Sequence, residues 1–546
     1  MPTQVPGPAP YPAWLEDAVC YEIYPQSFCD SNGDGIGDLP GIVERLGYLE
    51  ALGVTAIWLN PCFDSPFLDA GYDVRDHRLV APRYGTNDDL ERLFAAARAR
   101  GIRVLLDLVP GHVSWEHPWF VASMRHERNE FSDFFIWTDH AWRLPDGLRA
   151  VTGLSERDGS YVANFFVHQP ALNYGFANVE PGHPWQQPVD APGPLAVRRE
   201  IRDIMRFWLD RGASGFRVDM AASLVKHDPG RRETARFWRE IRAWLDTEYP
   251  EAALVSEWGR PSEALPAGFH MDFLLHFAQG GYTPLFRQGS RHSMMGDPYS
   301  WSFFDRSGHG NIRAFLDEYQ RDLAATRHLG LMCMPSGNHD MGQRLADGRD
   351  AADLACAWAF ILTMPGVPFI YYGDEIGMRT VRGLPSKEGS YDRTGARTPM
   401  QWDPDGVNAG FSTAPPEALY LPIDPDPERP TVAGHEEDPD SLLNRVRGLI
   451  ALRRAHPALC AGGLFVPLLA EAGRLPFVYE RRAPGAAERI VVAVNPSASA
   501  CAADVVGDPG SGSVETLYGP PDALVARGGG WQVRMPGVSA GIWLVR

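Results

Sequence analysis

Eight short apolar runs set the strongest limit on the fold. They are "AVCYEIYP" (18–25), "AIWLN" (56–60), "RVLLDLV" (103–109), "GFRVDM" (215–220), "ALVSEW" (253–258), "MDFLL" (271–275), "LMCMPSG" (331–337) and "VPFIYYG" (367–373). Between them lie helical patterns such as "NDDLERLFAAARARG", "AVRREIRDIMRFWLDRG" and "AADLACAWAFILTMPG". Eight strands alternating with helices predict an α/β fold, a parallel (β/α)₈ TIM barrel.

Two stretches break the alternation. Residues 113–195 are rich in aromatics, Pro and Gly, and a loop that long inside a compact domain must fold as its own unit. They read as a small domain inserted after the third strand. Beyond about residue 457 come short alternating runs with Gly/Pro turns: "PFVYERR", "RIVVAVNPS", "GSVETLYG" and "GIWLVR". These predict a C-terminal antiparallel β-sandwich. The expected division is barrel 12–112, insert 113–195, barrel 196–457 and sandwich 458–546, in keeping with a chain of 546 residues that exceeds one hydrophobic core.

The charge balance narrows the partners. A formal charge of −18 opposes nucleic acid or an anionic membrane surface and suits a neutral, small substrate such as an oligosaccharide. Apolar residues make up 44% and charged residues 22%, the range of a soluble globular protein. No apolar run is long enough to span a bilayer. The start "MPTQVPGPAPYPAWLED" has neither a basic region nor an apolar core, so no secretory signal is expected and the cytoplasm is the expected compartment. The seven Cys are scattered without a CxxC pair, which indicates buried reduced thiols.

In a barrel of this kind the reactive groups sit at the C-terminal ends of the strands. The third strand carries Asp107 and leads to His112, the fourth carries Arg217 and Asp219, and the fifth leads to Glu257. Asn338, His339 and Asp340 follow the seventh. Three carboxylates from three strands thus gather on one rim. Unpaired carboxylates in a cleft cost several kcal/mol unless hydrogen-bonded or used. Carboxylates held in divergent environments suit an acid and a nucleophile, the requirement of glycoside cleavage.

Several motifs then fall in a known order: "YEIYPQSFCDSNGDGIGDLPGI", "GYDV", "DLVPGH", "GFRVD", "SGNHD" and "RTPMQWD". Over roughly residues 12–457 the chain resembles glycoside hydrolase family 13, the α-amylase superfamily, and within it the oligo-1,6-glucosidase and α-glucosidase branch. The resemblance implies that Asp219 is the nucleophile, Glu257 the general acid and then base, and Asp340 the carboxylate that binds ring hydroxyls. Arg217 would hold Asp219 ionised, His112 and His339 would bond sugar hydroxyls, and Tyr72 would stack under the terminal ring. Asp107 reads as a structural organiser. Retention of configuration further implies Asp219 and Glu257 carboxyls roughly 5–5.5 Å apart.

The resemblance also implies that Asp73 of "GYD" pairs with Arg397 of "RTPMQW" and closes the far end of a one-glucose pocket. A metal site is expected in "DSNGDGIGD", residues 30–38. There Asp30, Asn32, Asp34, Asp38 and the carbonyl of Ile36 would offer alternating oxygen ligands to a structural Ca²⁺, or Mg²⁺. Three positions depart from the family. Gly111 stands where an Asn normally precedes the His, so one side-chain hydrogen bond is missing. Ala171 replaces the Asp of "QPDLN", so a second calcium site is not expected, although Asn173 is kept. Met220 follows the nucleophile where Val accompanies α-1,6 and Ala or Thr accompanies α-1,4 linkages.

The functional expectation is a retaining, exo-acting α-glucosidase. An α-glucosyltransferase or disaccharide isomerase on the same scaffold shares the covalent intermediate and differs in whether water or a sugar hydroxyl reaches it. A non-catalytic binding subunit is the third reading, and the retention of Asp219, Glu257 and Asp340 opposes it.

Overall fold

The computed structural model describes residues 10–142, 146–276, 281–287, 301–485, 487–508 and 513–546. Residues 1–9 and 288–300 lie outside the described residues.

All eight expected strands form, and they close into one parallel barrel in sequence order. They are β1 (Cys20–Ile23), β2 (Ala56–Leu59), β3 (Arg103–Leu108), β4 (Gly215–Val218), β5 (Ala253–Ser256), β6 (Met271–Phe273), β7 (Leu331–Pro335) and β8 (Val367–Tyr371). The alternation of side chains across each strand divides the core in two. Cys20, Trp58, Leu105, Val255, Phe273, Cys333 and Phe369 fill the lumen. Phe216, Val218, Leu254 and Ile370 face the surrounding helices. Gly215 is required on β4, because a Cβ there would meet the Ala253 carbonyl oxygen of β5 at 2.0 Å. Its absence lets β4 lie flush against β5 and carries Arg217 to the top of the lumen, in register with Asp107 on β3.

The helices are placed by local signals. Thr86 and Asp89 form a capping box at the start of the helix Asn87–Arg98, and Asp350 and Asp353 do the same for Ala351–Thr363. The second of these is apolar on all sides. It packs against the helix Leu442–Ala455 on one side and the strands Arg489–Asn495 and Ser539–Val545 on another, so every face finds apolar cover. Among the described residues no helix is long and apolar enough to cross a membrane.

The C-terminal region forms a five-stranded and a three-stranded antiparallel sheet. Val478, Val491, Trp531, Val533 and Trp543 pack between them, which makes the expected sandwich. The segment after β3 carries a short helix, Pro118–Ser123, and a two-stranded ribbon, Arg149–Val151 with Tyr161–Ala163. It is anchored to the barrel by backbone pairing: Leu172 N–H donates to the Gly111 carbonyl at 3.1 Å, and Val113 N–H to the Pro170 carbonyl at 3.3 Å. The insert therefore sits over the β3 end of the barrel in a fixed register.

Candidate active site

The question posed by β4, why one strand face carries both a cation and an anion, has a geometric answer. The Arg217 guanidinium is 2% exposed and serves three carboxylates. Nη1 donates to Asp107 Oδ1 at 3.0 Å and to Asp219 Oδ1 at 3.1 Å, and Nη2 lies 2.8 Å from Glu257 Oε1. A planar fork with donors in fixed directions can hold several carboxylates at once, which an ammonium cannot. Asp107 is fixed on its other side by Trp58 Nε1 and the Tyr72 hydroxyl, both at 3.0 Å. It is buried beneath Asp219 and joins Trp58, Tyr72 and Arg217.

Glu257 has a second anchor. Its Oε2 accepts the Met220 backbone N–H at 2.9 Å. Met220 takes a left-handed φ of 43°, a costly conformation for a side chain-bearing residue and one that concentrates at functional sites. The turn directly after Asp219 thus aims a backbone donor at the neighbouring carboxyl. Burial first and the adjacent Glu257 second push the Asp219 carboxyl well above the usual carboxylate range, and Arg217 opposes them.

Asp340 is in the opposite state. Burial pushes its carboxyl up, yet the cations around it outweigh burial and hold it far below the ordinary range. His339 is itself kept neutral by burial. The arginines therefore carry the effect: Arg393 Nη1 donates to Asp340 Oδ1, and Arg397 Nη2 lies 3.4 Å from it. Tyr72 stacks on His339 with centroids 5.4 Å apart and planes 9° from parallel, and its hydroxyl lies 2.8 Å from His339 Nε2. His112 lines the same space, its Nε2 3.1 Å from the Tyr72 carbonyl, and burial lowers its imidazole to about 3.

These groups surround one cavity of about 670 Å³. The buried Asp219, Glu257, Tyr72, His112 and Arg397 line it together with Asp340, Trp258 and Arg287, and the exposed Phe165 and Tyr391 stand at its outer end. Phe166 of the insert approaches Tyr391 at 6.1 Å between centroids, so the insert and the loop after β8 meet over the opening. A barrel with a nucleophile candidate on β4, an acid on β5 and a cation-caged carboxylate after β7 limits the reading to few families. Residues 22–462 match the family described as "Alpha amylase, catalytic domain". The chain belongs to the α-amylase family, glycoside hydrolase family 13. Among its relatives is the trehalose synthase/amylase TreS of Mycobacterium tuberculosis, 34% identical over 83% of this chain and 77% of that protein. The oligo-1,6-glucosidase of Heyndrickxia coagulans is 31% identical over 94% of this chain and 99% of that protein. A solved mutant of the trehalulose synthase MutB in complex with Tris has a TM-score of 0.77 at 26% identity, over 98% of this chain and 100% of the other. The protein is an α-amylase-family enzyme of the α-glucosidase type.

One expected pair does not form. Asp73 turns back into its own loop, where its carboxylate accepts the N–H groups of Leu68 at 2.9 Å and Asp69 at 3.0 Å and the Ser65 hydroxyl at 3.0 Å. Arg397 spends its donors on the His339 carbonyl, the Tyr24 and Ser390 hydroxyls and Asp340. The carboxylate this loop presents to the cavity is Asp69, four residues earlier, held by Gln169 Nε2 at 2.7 Å. Burial raises Asp69 to about 6. In this α-amylase-family pocket Asp69→Asn should lower kcat/KM on a short α-glucoside by roughly 10²-fold, the scale of losing a charge-assisted contact made to the reacting sugar. Asp73→Asn should act on stability instead, through the lost acceptors of its loop. Thermal melts and kinetics on both variants check this; the reverse pattern would restore the pairing first expected.

The loop expected to hold a metal is ordered by its own side chains. Asp30 accepts the N–H groups of Asn32 (3.1 Å), Gly33 (2.7 Å) and Gly35 (2.8 Å), together with the Ser412 hydroxyl. Asn32 accepts Asp34 N–H at 2.9 Å, Asp34 accepts Ile36 N–H at 2.9 Å, and Asp38 caps the helix Leu39–Glu44 through Gly41 N–H at 2.7 Å. Among the described residues no three His, Cys, Asp or Glu side chains converge to hold a metal ion. These oxygens suit Ca²⁺ in kind, and Asp30, Asn32, Asp34, Asp38 and the Ile36 carbonyl would hold such an ion in a structural role, away from the reacting carboxylates.

Three further site residues escaped the sequence reading. Arg393 faces Asp340 from the short helix Tyr391–Ala396, Glu22 lies 2.7 Å from His339 Nδ1, and Asn164 reaches His112 from the insert. Glu22 had a usable signal: it is a carboxylate inside a wholly buried strand.

Proposed function

We propose that the enzyme is a retaining, exo-acting α-glucosidase that removes the terminal glucose of a short α-glucoside. The observation that supports this best is the single Arg217 guanidinium holding Asp219 and Glu257 side by side in the wall of one cavity. With Glu257 in its acid form, an Asp219 oxygen attacks C1 while Glu257 protonates the departing glycosidic oxygen. The C1–O bond to the leaving group breaks as the ester forms. Glu257, now ionised, takes a proton from water, whose oxygen attacks C1 and releases glucose and the Asp219 carboxylate. Asp340, kept ionised by its arginines, accepts hydrogen bonds from ring hydroxyls that strengthen as positive charge grows on the ring.

A second reading is favoured by the lining of the cavity. Phe165, Phe166, Tyr391 and Arg231 line the same cavity and offer aromatic and cationic surface to an acceptor sugar. Relatives are named trehalose synthase and trehalulose synthase, and an acceptor sugar stacked on these rings would favour attack by a sugar hydroxyl over attack by water. Chromatography of the products from maltose, isomaltose, trehalose, sucrose and an aryl α-glucoside separates the two readings. Free glucose as the main initial product supports hydrolysis. A rearranged disaccharide as the main product would replace the first reading with the second.

A further inference from the structure

Gly111 was expected to leave a hydrogen bond missing beside His112. The structure fills that place from elsewhere in the chain. Asn164 of the insert puts its Nδ2 3.1 Å from His112 Nδ1. Its Oδ1 accepts from Lys226 Nζ at 3.2 Å, and Lys226 also donates to the Ser223 carbonyl at 2.8 Å. A Cβ on Gly111 would stand 2.9 Å from Asn164 Nδ2, so the amide occupies the space that a side chain at 111 would need. The backbone pairing of 111–113 with 170–172, and the bond from Asn164 N–H to the Gln169 carbonyl at 2.9 Å, fix the register that brings the two together.

We infer that Asn164 is the positioning residue for His112 in this enzyme, replacing from the inserted domain a support that Gly111 cannot give. The donor chain has one direction. Lysine has donors only, so the amide oxygen must face Lys226 and the amide N–H₂ must face His112. His112 Nδ1 is then the acceptor, and the ring proton sits on Nε2, where it meets the Tyr72 carbonyl at 3.1 Å. The amide oriented by Lys226 and the Tyr72 carbonyl thereby favour one tautomer of this pocket-wall imidazole from both sides of the ring. Asn164 Nδ2 also lies 3.6 Å from Met220 Sδ, so the same amide touches the residue after the nucleophile. The insert and the turn that aims Glu257 are joined at this point.

The kinetic consequence rests on the α-glucosidase reading; the tautomer does not. Asn164→Ala should lower kcat/KM on an aryl α-glucoside by roughly 5- to 50-fold, from leaving buried polar groups unpaired. Gly111→Ala should do the same by displacing the amide, because Gly111 holds no left-handed φ that would itself resist alanine. The double variant should be no worse than either single one, since both remove one interaction. Asn164→Asp keeps the size and the Lys226 contact but cannot donate, so it should match the alanine variant with the melting temperature retained. Losses that multiply in the double variant, or an Asn164→Asp enzyme with normal kcat/KM, would overturn the inference. An arm without substrate uses ¹⁵N NMR of the imidazoles, with His112 assigned by its loss in His112→Asn. The wild type should carry one ring proton, on Nε2, whereas in Asn164→Asp the new carboxylate accepts from Nδ1 while the Tyr72 carbonyl still accepts from Nε2, so His112 should carry protons on both nitrogens to higher pH; a neutral Nε2–H ring unchanged in the variant would overturn the inference whatever the enzyme's substrate is.

Discussion

Asp219→Ala is expected to lower kcat on a 2,4-dinitrophenyl α-glucoside by about 10⁴-fold or more, the scale seen when a covalent nucleophile is removed. The protein should keep its fold, because Arg217 retains Asp107 and Glu257 as partners. The leaving group of this substrate departs without help from an acid, so the loss reports the nucleophile alone. Azide is a small anion that fits the space the carboxylate leaves. It should restore turnover and give the β-glucosyl azide, because it attacks C1 from the face Asp219 used. A variant with near-normal turnover would remove Asp219 from the chemistry and revive the reading of a binding subunit.

Arg217→Met should have the second largest effect, and on two properties at once. Three carboxylates meet this guanidinium at 3.1 Å or less, and all are buried. Removing the cation leaves them facing one another without compensation, and breaking a buried pair from one side costs about 3–5 kcal/mol. Stability measured by denaturant should fall by that order. Activity should fall further, because Asp219 without its guanidinium is pushed still higher and is protonated over more of the pH range. The acid limb of kcat/KM should therefore move to higher pH in whatever activity remains. Arg217→Lys should recover little, since one ammonium cannot reach Asp107, Asp219 and Glu257 together. Unchanged stability and an unmoved acid limb would mean that the bridge seen here has no energetic role.

The barrel was legible because each strand is a short apolar run bounded by turn residues and followed by an amphipathic helix. That pattern survives in any one sequence. Asp219, Glu257 and Asp340 were legible for a related reason, since strand ends are the places where a barrel exposes polar side chains to one rim. What failed depends on loops. In "DAGYD" both Asp69 and Asp73 are candidates, and no periodicity says which carboxylate turns back onto the Leu68 and Asp69 N–H groups and which enters the cavity. The Asx turns of residues 30–38 satisfy the same side-chain oxygens that a cation would take, so composition alone cannot separate the two. Asn164 lies 53 residues from Gly111 in the sequence, and only the backbone pairing of the insert with the β3 end joins them. Met220 is the mixed case: its position beside the nucleophile was plain, while its left-handed turn and its N–H bond to Glu257 were visible only in three dimensions.

The central claim is that Asp219 and Glu257 act as nucleophile and acid on one anomeric centre. The most direct test is ¹H NMR of the first glucose released from an aryl α-glucoside, recorded before mutarotation sets in. Two displacements at C1 should give α-glucose first, with the β-anomer growing only as mutarotation proceeds. β-Glucose as the first product would mean a single displacement by water, and would contradict the assignment of Asp219 as the nucleophile.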